Sequence, residues 1–153
     1  MTHTEQLHQL GLELPQVAAP VASYVPAVKV GNQVWTSGQL PFVEGKLPAT
    51  GKVGGEVTPE DAQSLARTAA LNALAAIDAE VGLDNITRVV KIVGYVASAP
   101  GFGGQPAVVN GASNLVGDLF GEAGIHARSA VGVAELPMDA PVEIELVVEF
   151  REG

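Results

Sequence analysis

The sequence predicts an α+β domain, a mixed β-sheet with two helices packed on one face, and three observations carry that prediction. Two segments repeat apolar residues at helical spacing: one runs through Ala62, Leu65, Ala69, Ala73, Ala76 and Ile77, the other through Val108, Ala112, Leu115, Val116 and Leu119. A third alternates strictly, with Val142, Ile144, Leu146, Val148 and Phe150 separated by Glu143, Glu145, Val147 and Glu149, the period of a strand with one face on the core. Strand-like runs stand before, between and after the helices, so the order reads ββαβαββ.

Taken in order, residues 5–10 read as a short, peripheral helix, with Pro15 and Pro20 marking turns on the way into the domain. Residues 1–20 form an N-terminal extension, and residues 21–153 a single domain. Residues 27–30 and 33–37 flank Gly31-Asn32, the composition of a two-residue hairpin loop. Residues 43–57 carry Gly45, Gly51, Gly54 and Gly55 and read as a flexible loop. Thr58 is placed to cap the long helix, Pro59 suits its first position, Glu60 and Asp61 complement its dipole, and Gly82 stops it. The β-branched run at 89–96 predicts a central strand buried on both faces. Residues 98–106 predict a loop, the second helix ends at Gly121 or Gly124, and 127–133 is the next strand.

Composition narrows the function. A length of 153 residues suits one domain, and no apolar run reaches bilayer-spanning length. The polar start, with His3 and His8, lacks the basic-then-apolar pattern of a secretory signal, so a soluble, cytoplasmic protein with no membrane partner is expected. Without cysteine there is no disulfide, thiolate nucleophile or sulfur-ligated zinc, and three scattered histidines offer no metal set; neither metal nor cofactor is expected. A net charge of −9, with eight cations spread along the chain, argues against a nucleic-acid partner.

Two segments carry a resemblance: Thr36-Ser37-Gly38-Gln39-Leu40-Pro41, and the run from Ala127-Arg128-Ser129-Ala130 to Glu135-Leu136-Pro137, followed by Val142-Glu143-Ile144-Glu145. They resemble the signatures of the YjgF family, also called the reactive intermediate deaminase (RidA) family and often labelled endoribonuclease L-PSP. The likeness extends more weakly from Tyr24 to Phe150. It implies a chorismate mutase-like fold, a homotrimer with ligand pockets between subunits, and hydrolysis of enamine/imine intermediates to 2-keto acids and ammonia. In that resemblance Arg128 matches the carboxylate-binding arginine, while Tyr24, Gly38, Asn110 and Glu143 match positions lining the same pocket. This chain departs from the family pattern at Ala130, where cysteine is frequent, and at His126, where proline is usual. Its second helix lacks aromatic residues before Phe120, and the glycine-rich loops are rearranged.

These residue types suit that chemistry. A guanidinium fixes the plane of a carboxylate through two parallel hydrogen bonds, and Glu143 can hold and deprotonate the attacking water. Tyr24 can close the pocket, and Gly38 lets backbone approach the ligand. Each position also has a structural reading: Arg128 as a surface or ion-pair residue, Glu143 as part of a solvated strand face, Tyr24 as packing, Asn110 as a helix cap and Gly38 as a bulge. His126, beside Arg128, reads as a bland loop histidine. Imine deamination leads, followed by a non-catalytic trimer that binds a small carboxylate; endoribonuclease activity comes last, for want of a basic patch or stacking platform.

Overall fold

The computed structural model describes residues 1–19 and 22–153. Pro20, and the expected boundary between residues 20 and 21, lie outside the described residues. The chain forms α1 (His3–Gln9), β1 (Ala27–Val30), β2 (Gln33–Thr36), α2 (Pro59–Val81), β3 (Ile86–Ala97), α3 (Gln105–Phe120), β4 (Ala127–Val133) and β5 (Val142–Phe150). The five strands make one sheet in the order β1-β2-β5-β3-β4. Among these strands of the described residues, β3 and β4 run parallel and the other neighbouring pairs are antiparallel. The fold is the predicted mixed α+β sheet.

Local chemistry explains the element ends. Gly31 holds a φ of 60°, the conformation that a two-residue hairpin loop demands and glycine supplies without strain. The Thr58 hydroxyl accepts from the Asp61 amide at 3.1 Å, and Pro59 occupies the first turn, where its missing N–H costs nothing. At the other end of α2 the Gly82 amide bonds back to the Asp78 carbonyl at 2.9 Å. A capping box of Thr2 and Glu5 starts α1. That helix is built into the core: Leu7 is buried, and the His3 ring meets Phe120 edge-on with centroids 4.7 Å apart.

The main hydrophobic core lies on one side of the sheet. The buried face of β5 consists of Val142, Ile144, Leu146, Val148 and Phe150, which meet Ile86, Val89, Ile92 and Val96 of β3 beneath α2 and α3. The row Ala62, Ala66, Ala69, Ala70, Ala73 and Ala76 keeps α2 close to its neighbours. Asn72 is buried in the same helix, and its amide donates to the carbonyls of Leu40 at 3.0 Å and Phe42 at 3.1 Å, fixing the segment after β2.

Three expectations need correction. β3 is not buried on both faces, because Arg88 and Lys91 are exposed and Val93 and Tyr95 only half-buried on the side without helices. β3 is interior as expected, between β5 and β4, but the N-terminal helix is not peripheral, because Leu7 of α1 is buried in the core. The second helix starts at Gln105, so Pro106 belongs to its first turn and Asn110 lies in its interior instead of capping it.

The opposite face stays open. Val28 is 47% exposed, Val30 59%, Trp35 50% and Val131 43%. Among the described residues no helix is long and apolar enough to cross a membrane.

α2 and α3 touch at Gly111, where a Cβ would run into the backbone carbonyl of Gln63. A backbone obstacle cannot rotate away. Gly111→Ala is therefore expected to destabilise the fold by about 2 kcal/mol or more in denaturant titration.

Candidate functional site

Arg128 stands on the edge strand β4, in register with the buried Ile92, so its side chain rises on the helix side of the sheet. There it meets one stripe of α3. Nη1 donates to Asn110 Oδ1 at 2.7 Å and to Ser113 Oγ at 3.2 Å, and Nη2 donates to the Pro106 carbonyl at 3.3 Å. Positions 106, 110 and 113 are spaced four and three apart, which puts all three acceptors on one helical face. Each acceptor is neutral. Among the described residues the one side-chain ion pair joins Lys52 to Glu135 at 2.9 Å, so Arg128 is a half-buried cation with no protein carboxylate against it. A guanidinium carries five N–H donors, and the rest of the fork remains for a ligand anion.

Glu143, the second residue of β5, faces the open side of the sheet in register with Tyr95. It lines a small concavity with Tyr24, Gly38, Leu40, Phe42 and Pro137. Trp35 pairs with Val147 and Gln39 with Ile144, so four steps along one strand oppose three along the other. Gly38 lies in this one-residue bulge. A Cβ there would collide with the Glu143 carboxylate, so glycine is what gives that carboxylate its place. Burial pushes the Glu143 carboxyl above its ordinary range, and the charge of Glu145 on the same face pushes it further. Tyr95 is raised in turn, by burial and by its 3.0 Å hydrogen bond to Glu145.

The five sequence-predicted residues therefore form two groups within one chain. Arg128 bonds Asn110 on the helix side, while Tyr24, Gly38 and Glu143 share the concavity on the open side; neither Arg128 nor Asn110 lines that concavity. Sequence reasoning missed Ser113, the Pro106 carbonyl and the part played by His126. Ser113 accepts from Arg128 and lies 2.9 Å from His126 Nε2. The i, i+3 spacing of Asn110 and Ser113 was the available signal, once α3 was known to face β4. Among the described residues no cluster of His, Asp and Glu is suited to hold a metal.

Sheet order, helix placement and the arginine on β4 define a chorismate mutase-like α+β protein. The chain belongs to the YjgF family: residues 4–150 match the family model described as "YjgF/chorismate_mutase-like, putative endoribonuclease". It is 45% identical to protein TCP17 of Trypanosoma cruzi over 147 residues, covering 95% of this chain and 92% of that protein. The crystal structure of Atu1372 from Agrobacterium tumefaciens, described as of unknown function, is 46% identical, superposes with a TM-score of 0.90, and is matched over 97% of this chain and 92% of that one. The 2-iminobutanoate/2-iminopropanoate deaminase of Escherichia coli strain K12 is 33% identical over 135 residues, covering 87% of this chain and 91% of that protein.

The obstacle to a Cβ at Gly38 is the far end of a flexible side chain, which can swing aside. Gly38→Ala is expected to change stability by less than about 1 kcal/mol while displacing Glu143. Thermal melts should barely move, and any reaction that depends on the carboxylate should slow roughly 100-fold.

Proposed function

We propose that this protein hydrolyses small 2-imino acids, and the enamines that tautomerise to them, to 2-keto acids and ammonia. The observation that carries this reading is Arg128, a half-buried guanidinium held by three neutral acceptors with, among the described residues, no carboxylate opposite it. That arrangement suits a small carboxylate bound through the unused edge of the fork. The names of relatives at about the identity of the Escherichia coli deaminase support the same chemistry.

The reaction needs only water and proton transfers. The substrate carboxylate pairs with Arg128, which fixes the plane of the imine. Glu143 accepts a proton from water as the oxygen bonds to the imine carbon, and the proton passes to the imine nitrogen, giving a 2-amino-2-hydroxy acid. The hydroxyl proton then moves to nitrogen as the C–N bond breaks. A carbonyl forms, ammonia leaves, and Glu143 ends in the ionisation state in which it began. Burial favours this role, because a carboxylate with a raised pKa is a stronger base.

Arg128 and Glu143 reach the same substrate if they come from different subunits of a homotrimer. Two observations support this: the two groups lie on opposite sides of one sheet, and the open face carries Val28, Val30, Trp35 and Val131 for a neighbouring copy to cover.

Arg128→Ala is expected to lower kcat/KM for 2-iminopropionate on the order of 100-fold or more, measured by loss of the imine generated in situ and trapped with semicarbazide. Normal turnover by that variant sinks the assignment. Isolated mixed trimers of Arg128→Ala and Glu143→Gln subunits are expected to carry about a third of wild-type activity, since each has one intact interface in three. Mixed oligomers as inactive as either parent would place the site within one chain.

The pH profile has a defined sign. Glu143 works ionised, so kcat is full above its raised pKa and falls as pH drops through it. The acid limb should lie on the alkaline side of an ordinary glutamate, and Glu143→Gln should remove the limb along with roughly 100-fold or more of kcat.

A further inference from the structure

We infer that Ser113 and His126 are positioning residues for Arg128, forming a hydrogen-bond chain of fixed direction that aims the guanidinium at the ligand carboxylate; the ligand's identity rests on the deaminase reading above. The direction is set at one end by an atom with no choice. His126 Nδ1 lies 2.6 Å from the Gly124 carbonyl, and a carbonyl can only accept, so Nδ1 carries the proton. With the ring neutral, Nε2 presents a lone pair and accepts from the Ser113 hydroxyl, 2.9 Å away. The hydroxyl hydrogen is thereby drawn away from Arg128, and the Oγ lone pairs face Nη1 at 3.2 Å.

The alternative rotor of Ser113 would turn O–H towards N–H. A hydroxyl can rotate freely, so without His126 it accepts from Arg128 only part of the time. With His126 in place, Asn110 Oδ1 and Ser113 Oγ share Nη1 while the Pro106 carbonyl holds Nη2, and the guanidinium plane is fixed from three points on one helix face. The geometry has a simple origin in the chain. His126 and Arg128 are two apart at the entry to β4 and point to the same side, as alternate residues of an extended segment do. Gly124, which closes the turn between α3 and β4, supplies the carbonyl that selects the tautomer. Neither side chain touches the proposed substrate. Both act through Arg128.

The test is nitrogen NMR of the full chain in mildly alkaline buffer, with titration of 2-oxobutanoate as a product-type 2-keto acid. The expected result for wild type is a His126 ring protonated at Nδ1 alone and slow rotation about the Arg128 Cζ–Nη1 bond. Ser113→Ala should free that rotation and weaken 2-oxobutanoate binding about tenfold, the scale of one hydrogen bond to a charged group. Ser113→Thr keeps the hydroxyl and should retain both properties. His126→Ala should loosen the guanidinium, and His126→Gln, whose amide oxygen can replace the Nε2 acceptor, should restore it. A ring protonated at Nε2, or rotation and affinity unchanged in Ser113→Ala, overturns the proposal. A serine variant that threonine does not rescue overturns it as well. Failure of the wild type to bind any 2-keto acid would instead sink the deaminase reading, and the rotation and tautomer data would still decide the positioning role.

Discussion

A sheet covered on one face and bare on the other is the constraint on which this structure turns. Two helices supply enough apolar surface to bury one side of five strands, and strand alternation then sorts the chemistry. On β5 every second residue goes to the core, so Glu143, Glu145 and Glu149 share the open face with Val147. On β4 the same alternation sends Arg128 the other way, beside Ile92 and towards α3. Acid and cation are separated by the sheet itself. A small domain of this kind does not bring them together by closing on itself, which gives weight to Val28, Val30, Trp35 and Val131 among the charged residues of the bare face.

The way Arg128 is held is equally telling. Half-buried guanidinium groups are commonly stabilised by a carboxylate, which neutralises them and occupies the fork. Here the acceptors are an amide oxygen, a hydroxyl and a main-chain carbonyl. They compensate part of the desolvation and fix orientation while leaving the positive charge intact. Such a group suits an anion that arrives from solution, the role proposed for it above. Glu143 shows the converse, since burial and a like-charged neighbour keep its carboxyl above the ordinary range.

Much of the architecture was legible because local rules and tertiary structure agree. The Gly31-Asn32 turn, the Thr58-Pro59 start of α2, its stop at Gly82 and the alternation of β5 each have a local cause that sequence displays. The burial of β3 is not legible, because a β-branched run looks the same whether both faces are buried or one is, although Lys91 and Arg88 on the outer face are a discordant signal. The start of α3 is hidden in the sequence, since the glycines before it mask a first turn that Pro106 is well suited to open. Arg128 and Glu143 could be named from motif resemblance, yet no local pattern says that they lie on opposite sides of one sheet. Ser113 and His126 were invisible for a related reason: a serine on a helix and a histidine in a turn acquire meaning only when β4 lies parallel to β3 under α3.

The geometry at Arg128 is finally set by residues that carry no chemistry at all. Its three acceptors belong to α3, and α3 sits where α2 allows. The contact between those helices is made at Gly111 against the Gln63 backbone, and Gln63 Nε2 donates to the Ala107 carbonyl at 2.7 Å one turn earlier. Behind it the alanine row of α2 sets how closely that helix lies on the sheet. A methylene added along this contact would lift or turn α3, and it would move Asn110, Ser113 and the Pro106 carbonyl together, because a helix shifts as a rigid unit. The hydrogen bonds to Arg128 tolerate a few tenths of an ångström before they weaken. The small residues of the α2–α3 contact are thus the long arm of the site, and the composition that makes this chain alanine- and glycine-rich fixes the direction in which its one exceptional arginine points.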